Sequence, residues 1–302
     1  MHTILGQIFA LITAACWAQN SIVYSEAGKR VGSRTVTHVR LWIALPAMLL
    51  VHVIFLGRFF PTGFQFSVYL YLLSSGFLGF FIADLLIFKA FVDLGPRETL
   101  VIMTLSPIFA ALSSWLALGE TLRLLQITGI GATVGGVVWV ILEEGARGRG
   151  AKSRETSKKR AGTLSALGGA LTEALGMMLA KAGLVSGLPP VSGNLLRLIA
   201  GLAGLIIYAL LRGSFARDFA AMKDRTALKL ITSGAMVGPV LGIVLSLYAL
   251  SWSPVGIVTA LMQTSPILLL PLDHYWFKKV ITPGAIAGTL LAVGGTVLLF
   301  IV

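Results

Sequence analysis

The sequence predicts an all-α integral membrane protein: ten transmembrane helices arranged as two inverted five-helix repeats around a central cavity. Three observations carry that expectation: a strongly apolar composition, a succession of hydrophobic runs of bilayer length, and a chain that is written twice. Of 302 residues, 56% are hydrophobic and 12% charged, with a mean hydropathy of +0.89. A water-soluble chain carries about twice that charge, ~25%, so this one cannot cover itself with a wettable surface. Apolar runs of about 20 residues, the length that crosses a ~30 Å hydrocarbon core, follow one another with short polar breaks.

The predicted spans are 4–25, 35–56, 68–92, 96–118, 122–142, 162–181, 191–211, 228–250, 255–276 and 282–302. Loops this short leave no room for a soluble domain. The net charge of +12 lies in the loops rather than along a continuous stripe, so membrane lipid is an implied partner and nucleic acid is not. Cys16, the single cysteine, falls inside the first span, which rules out a disulfide framework or a CxxC metal site. Only His2 precedes the first apolar run, so the basic region of a signal peptide is missing and the segment is read as a retained helix. Of 24 Lys and Arg, 18 fall on the face carrying the loops after spans 1, 3, 5, 7 and 9, and three on the opposite face. By the positive-inside rule the 143–160 loop is cytoplasmic and both termini are periplasmic in a bacterial inner membrane.

The duplication comes from register. Aligned without gaps, 94–142 and 253–301 share 10 identities, among them SPI at 106–108 and 265–267 and VGG at 134–136 and 293–295. Upstream, Arg40 falls on Arg197 at an offset of 157, and GQIFALITAACWA (6–18) on GTLSALGGALTEA (162–174) at 156. An offset that drifts by one residue per loop is what a diverged duplication leaves. The expected units are a first repeat over 1–143, a basic linker over 144–160 and a second repeat over 161–302. Five spans per unit is an odd number, so the second copy enters the membrane from the opposite side. Inverted repeats of this kind hold a substrate near the midplane between them.

CWAQN in the first span, HVRLWIA in the second, and LGPRETLVIMTLSPIFAALSSWLALGETLRLLQITGIGATVGGVVWV across the fourth and fifth resemble the drug/metabolite transporter superfamily, and within it the ten-helix EamA-type exporters. The resemblance covers nearly the whole chain and is weaker in the second half, where Glu173 replaces an expected tryptophan and Lys278-Lys279 an expected Gly-Glu. Within the superfamily the chain is most similar to bacterial aromatic amino-acid exporters. That resemblance implies a secondary transporter exporting amino acids by alternating access, with spans 1, 3, 4, 6, 8 and 9 lining the cavity; no cofactor is expected, and a monomer is one possible state.

Candidate site residues follow from polar groups placed where lipid would not tolerate them. Thr13, Trp17, Asn20 and Tyr24 form one stripe at helical spacing, and Asn20 facing lipid would leave an unsatisfied amide. The counterpart stripe is Gly169, Glu173, Gly176 and Ala180. Glu173 stands mid-span, beyond snorkelling reach, and an ionisable residue there is a functional hypothesis by default. A carboxylate for an ammonium and Trp17 for a cation–π contact would hold a zwitterion. A structural, hydrogen-bonded carboxyl is the other reading.

Asp84 shares a face with Phe77, Phe81 and Phe88, and its repeat mate is Gly242, near Pro239 and Ser246. It either handles substrate or protons, or pairs with Lys89 or Arg40. Thr104 and Gln263 correspond across the repeat and are candidate substrate hydrogen-bonders. Pro107 and Pro266, each preceded by serine, predict paired kinks that either flex during transport or sit statically. Gly131/Gly135 and Gly284/Gly288, at four-residue spacing, predict close helix approach in a scaffold pair. Arg40 and Arg197 each lie about six residues into a span, roughly 8–9 Å deep. That is shallow enough to snorkel, so they are expected near opposite mouths, tying helix ends together as parts of a gate by pairing with carboxylates or loop carbonyls; direct contact with a substrate carboxylate is the other reading.

No HExxH, GxxxxGK[ST], GxSxG or Cys/His cluster appears, so the groups for metal hydrolysis, nucleotide hydrolysis and serine catalysis are missing. An intramembrane enzyme is the different-class alternative, and His2, His38, His52 and His274 are too dispersed in sequence to favour it. A lipid or drug flippase of the same fold is a further alternative.

Overall fold

A computed structural model describes residues 2–109, 112, 124–147, 153–252, 258, 261–277 and 282–298. Its helices are α1 (His2–Val31), α2 (Ser33–Leu56), α3 (Phe66–Asp93), α4 (Pro96–Met103), α5 (Leu124–Arg147), α6 (Ser153–Leu184), α7 (Pro190–Leu211), the short α8 (Phe215–Ala220), α9 (Arg225–Trp252), α10 (Ser265–Phe277) and α11 (Pro283–Leu298). There is no strand among the described residues. Seven of these helices are long and apolar enough to cross a membrane, and α11 is a shorter apolar helix. The expected spans 96–118 and 255–276 are described only in part, since 110–111, 113–123, 253–257 and 259–260 lie outside the described residues.

Local chemistry sets the helix ends. Gly57 takes the left-handed conformation that closes α2, its N–H donating to Val53 O at 2.8 Å. Asp224 caps α9 by accepting from the N–H groups of Thr226 (2.9 Å) and Ala227 (3.0 Å). Pro96 and Pro190 open α4 and α7, where a missing N–H costs nothing. The basic linker is more helical than expected: α5 continues to Arg147 and α6 begins at Ser153, with 148–152 outside the described residues. Glu, Lys and Arg are good helix formers, so both helices run past the bilayer-length segment.

The third helix of each half is interrupted in the same way. α3 contains a seven-residue π-helical segment at Phe77–Ala83, and α9 contains one at Met236–Gly242. The chain there bonds five residues back instead of four, opening gaps in the normal ladder. The fourth helices share a different break. α4 ends in a turn at Thr104-Leu105, and the turn at Gln263-Thr264 precedes α10, each just ahead of the serine–proline pair. Pro107 and Pro266 cannot donate to Met103 and Met262. In the second half Ser265 Oγ donates to the freed Met262 carbonyl at 2.8 Å.

Packing between the halves is reciprocal. α2 packs on α7, α4 on α10 and α5 on α11, so second, fourth and fifth helices meet their own counterparts. α1 packs on α9, and α6 on α3, so each first helix lies on the third helix of the other half. This is the pattern a two-fold relation produces, in which i touches j and j touches i. The α5–α11 seam uses different glycines from those expected. Gly131 and Gly135 face open space, whereas a Cβ on Gly136 would lie 2.4 Å from Ala292 N and one on Gly295 2.4 Å from Thr133 N. Gly288 packs on Val140 and Gly284 on Glu143, so the small-residue seam runs through Gly136 rather than the Gly131/Gly135 pair.

The main apolar core lies where α1, α2, α3, α7 and α9 converge, around Ala10, Leu41, Met48, Phe80, Leu195, Leu198 and Leu247. Leu50, Ile54, Phe55, Leu142 and Leu211 point outward, as a lipid-facing surface requires.

Candidate functional site

Arg40 and Arg197 are each the eighth residue of their helix. Seven residues at 1.5 Å put each roughly 10 Å along its axis. Both side chains turn inward instead of snorkelling, and both residues are 1% exposed. They meet on one ring: the Phe80 centroid lies 5.6 Å from Arg40 Cζ and 5.2 Å from Arg197 Cζ. The expected placement of the two side chains near opposite mouths is therefore corrected. In the inverted topology expected from the sequence, arginines about 10 Å deep from opposite sides of a ~30 Å core would leave about 10 Å between them, a gap that long side chains close. Stacking on an aromatic face replaces part of the water that snorkelling would have found, and for Arg40 so does pairing inside the bundle.

Each arginine is held differently. Arg40 donates from Nη2 to Asp84 Oδ2, and its guanidinium also lies 4.6 Å from the Phe88 centroid and 5.6 Å from that of Tyr24. Of the two readings of Asp84, the structure shows the pairing with Arg40. Lys89 pairs with Asp93 instead, four residues on. Arg197 forms no ion pair, and its Nε and Nη1 have no hydrogen-bond partner among the described residues. Glu173 lies within electrostatic range of both arginines. A Cβ placed on Gly79, in the π segment of α3, would stand 3.1 Å from Arg197 Nη2 and 3.8 Å from Glu173 Oε2. Glu173 is half-buried, with part of its surface still accessible.

The Thr13–Trp17–Asn20–Tyr24 stripe faces protein as expected, but most of it is engaged in packing. Thr13 Oγ1 donates to its own Phe9 carbonyl at 2.8 Å and lies 3.3 Å from Gly242 O. The Asn20 amide, oriented to satisfy both ends, donates to Gly234 O and accepts from Gly238 N–H, each at 3.1 Å. Those two groups are a regular i→i−4 pair, and the π segment of α9 pulls them apart. Asn20 thus bridges a backbone gap, 1% exposed, rather than facing a cavity. Tyr24 is buried, its ring tilted 35° against that of Phe88 at 4.7 Å between centroids and facing the Arg40 guanidinium. Trp17 is half-buried against the main core.

Of the remaining candidates, Thr104 and Ser246 are fully buried and donate to carbonyls of their own helical turns, Val101 (2.7 Å) and Ile243 (2.8 Å). A β-hydroxyl in a helix back-bonds in this way when no other acceptor is near. Gln263 is half-buried at the α10 break, and Pro107 and Pro266 are buried beside the two breaks. The structure therefore brings together Arg40, Asp84, Arg197, Glu173 and Tyr24 around Phe80. It leaves Thr104, Ser246 and Gln263 apart from that cluster.

Several polar contacts carried a signal that sequence reasoning did not use. Asn194 donates to Pro239 O at 2.7 Å, a second amide on the α9 π segment. It sits three residues before Arg197, on the same face, and an amide inside a span is the signal that singled out Asn20. His38 Nδ1 lies 3.0 Å from Asp218 Oδ2, Thr35 donates to Asp218 Oδ1 at 3.1 Å, and Trp42 Nε1 donates to His38 Nε2 at 3.2 Å. Trp42 fixes the tautomer, leaving Nδ1–H to donate to Asp218. This network ties the start of α2 to α8. At the other end of α2, His52 lies 3.0 Å from Ser192 Oγ and 2.7 Å from Arg58 O, which ties it to α7.

Comparison with known proteins agrees with this architecture. The pattern of the EamA-like transporter family matches twice, over residues 4–142 and 160–301. No curated protein is matched at a significant level. Among solved structures 27 chains match. One, described only as "Crystal structure of protein", superposes with a TM-score of 0.68 at 16% identity, covering 97% of this chain and 94% of that one. At that identity the likeness is one of fold. The two family matches together span most of the sequence, and the family is not one of enzymes. The chain belongs to the EamA-like transporter family, as a multi-pass membrane transporter of small solutes.

Proposed function

We propose that the protein is a bacterial inner-membrane secondary transporter that exports amino acids, aromatic ones included, and related small metabolites. It works by alternating access between two inverted halves. The observation that carries this reading is the meeting of Arg40 and Arg197, one from each half, on the single ring of Phe80. Charged groups are kept inside a membrane protein where they serve a substrate or ion path. Here two guanidiniums and the carboxyls of Asp84 and Glu173 form one cluster between the halves. The reciprocal packing of the halves and the matched breaks in the third and fourth helices support a two-sided cycle. So does the tying of α2 at both ends, by His38–Asp218 at one and His52–Ser192 at the other.

Phe80, Phe88 and Tyr24 surround the cluster with ring faces, which suits a molecule that is part aromatic and part charged. The basic loops orient the 143–160 segment to the cytoplasm, so the exported substrate enters from that side. The test is uptake of labelled tryptophan, threonine and a cationic dye into proteoliposomes, with and without a pH gradient. Saturable tryptophan flux above that of empty vesicles is expected. Dye flux without any amino-acid flux would move the assignment to a drug or amphiphile exporter.

A further inference from the structure

Arg197 is the unmatched member of the cluster. Its repeat mate Arg40 is paired with Asp84, but the position matching Asp84 in the second half is Gly242, which has no carboxylate to give. The guanidinium of Arg197 is buried, with Nε and Nη1 unpartnered among the described residues. It cannot withdraw easily, because the Arg197 backbone is seated directly on α3. A Cβ on Gly76 would fall 2.1 Å from Arg197 O. A buried cation fixed in place without a carboxylate in direct contact is costly unless something else supplies that contact.

We propose that Arg197 is the receptor for the anionic group of the transported molecule, a carboxylate, which takes the place in the second half that Asp84 fills in the first. Glu173 faces the same point from α6. The position of a Gly79 Cβ is 3.1 Å from Arg197 Nη2 and 3.8 Å from Glu173 Oε2, and among the described residues the two side chains make no contact ion pair. A guanidinium and a carboxyl that face one gap without touching match the two ends of a zwitterion. An α-amino acid carries both on one carbon. Gly79 keeps the gap open, and the Phe80 ring lies against the guanidinium. This inference rests on the transporter reading and deepens it.

The test is ligand discrimination by the purified full-length protein, measured by equilibrium binding in detergent. The probes are L-phenylalanine, its methyl ester and 3-phenylpropionate. Wild type is expected to bind phenylalanine roughly 10–100-fold more tightly than the ester, the worth of a charge-assisted hydrogen bond. Arg197→Gln is expected to erase that difference by weakening phenylalanine alone, and Arg197→Lys to restore part of it. Equal binding of acid and ester by the wild-type protein overturns the inference without any variant. So does an Arg197→Gln protein that weakens acid and ester alike. If 3-phenylpropionate binds in an Arg197-dependent way and phenylalanine does not, the carboxylate site stands and the amino-acid assignment falls. Failure of all three probes overturns both.

Discussion

The side-chain amide of Asn20 fills the place of the backbone hydrogen bond that the π segment of α9 removes between Gly238 N–H and Gly234 C=O. One first helix thereby holds open the irregular third helix of the other half. The mirror contact exists without the amide: a Cβ on Gly176, the repeat mate of Asn20, would lie 3.3 Å from both Gly79 N and Ser75 O. There the link is Ser75 Oγ donating to Gly176 O at 2.5 Å. Both π segments are thus part of the interface between halves, and each carries a glycine that a first helix touches.

Asn20→Ala should lower stability by about 1–3 kcal/mol, the cost of leaving two buried backbone groups unpaired. Thermal unfolding in detergent, with ligand affinity measured on the surviving protein, checks it. A loss of affinity with unchanged stability would show Asn20 to be a ligand contact instead.

The Arg40–Asp84 pair predicts strong coupling. Asp84→Leu alone strands a buried guanidinium and should cost about 3–5 kcal/mol, whereas Arg40→Leu with Asp84→Leu should recover much of that loss. A double-mutant cycle of unfolding free energies measures the coupling. Additive losses would mean that the two groups act independently.

Glu173→Gln keeps the volume of the side chain and removes its capacity for charge. Transport of ammonium-bearing substrates is expected to fall about tenfold or more, the loss of one charge-assisted contact. Its dependence on pH should flatten, with the unfolding temperature little changed. An unaltered rate and pH profile in proteoliposomes would return Glu173 to a structural role.

Two glycine substitutions should differ sharply. Gly76→Ala puts a methyl 2.1 Å from the Arg197 carbonyl, on rigid backbone, so α3 and α7 must part and the yield of folded protein should collapse. Gly131→Ala meets nothing within 4 Å. It should be neutral or stabilise by about 0.5–1 kcal/mol through helix propensity. Size-exclusion profiles of the two detergent-solubilised variants, compared with wild type, decide the matter.

Much of the architecture was legible because it is written in periodicities that lipid enforces. Span-length apolar runs, the drift of the repeat offset and the serine–proline pairs each follow from one local rule, and the structure places a break ahead of both prolines. The π segments left no such mark. SSGFLGFFIAD and TSGAMVGPVLG share only a Ser-Gly pair, and a π turn depends on what packs against the opened ladder, here the Asn20 amide on one side and the backbone of Gly176 on the other. The small-residue seam slipped from Gly135 to Gly136 because four-residue spacing shows which faces are smooth, not which face the partner chooses.

By itself the sequence determined a basic membrane protein, its duplication and the identity of its intramembrane polar groups, since composition and spacing alone decide what lipid will accept. Tertiary structure decided which of those groups are already satisfied. Asn20, Thr104 and Ser246 are polar residues in spans, yet each is consumed by backbone. Arg40 and Arg197 occupy equivalent positions in sequence, yet one has a carboxylate and the other does not. The difference rests on Asp84 matching Gly242, and on side chains from the two halves being long enough to meet at Phe80. Depth along a helix can be counted from sequence, but the direction a side chain takes is fixed by its neighbours in space.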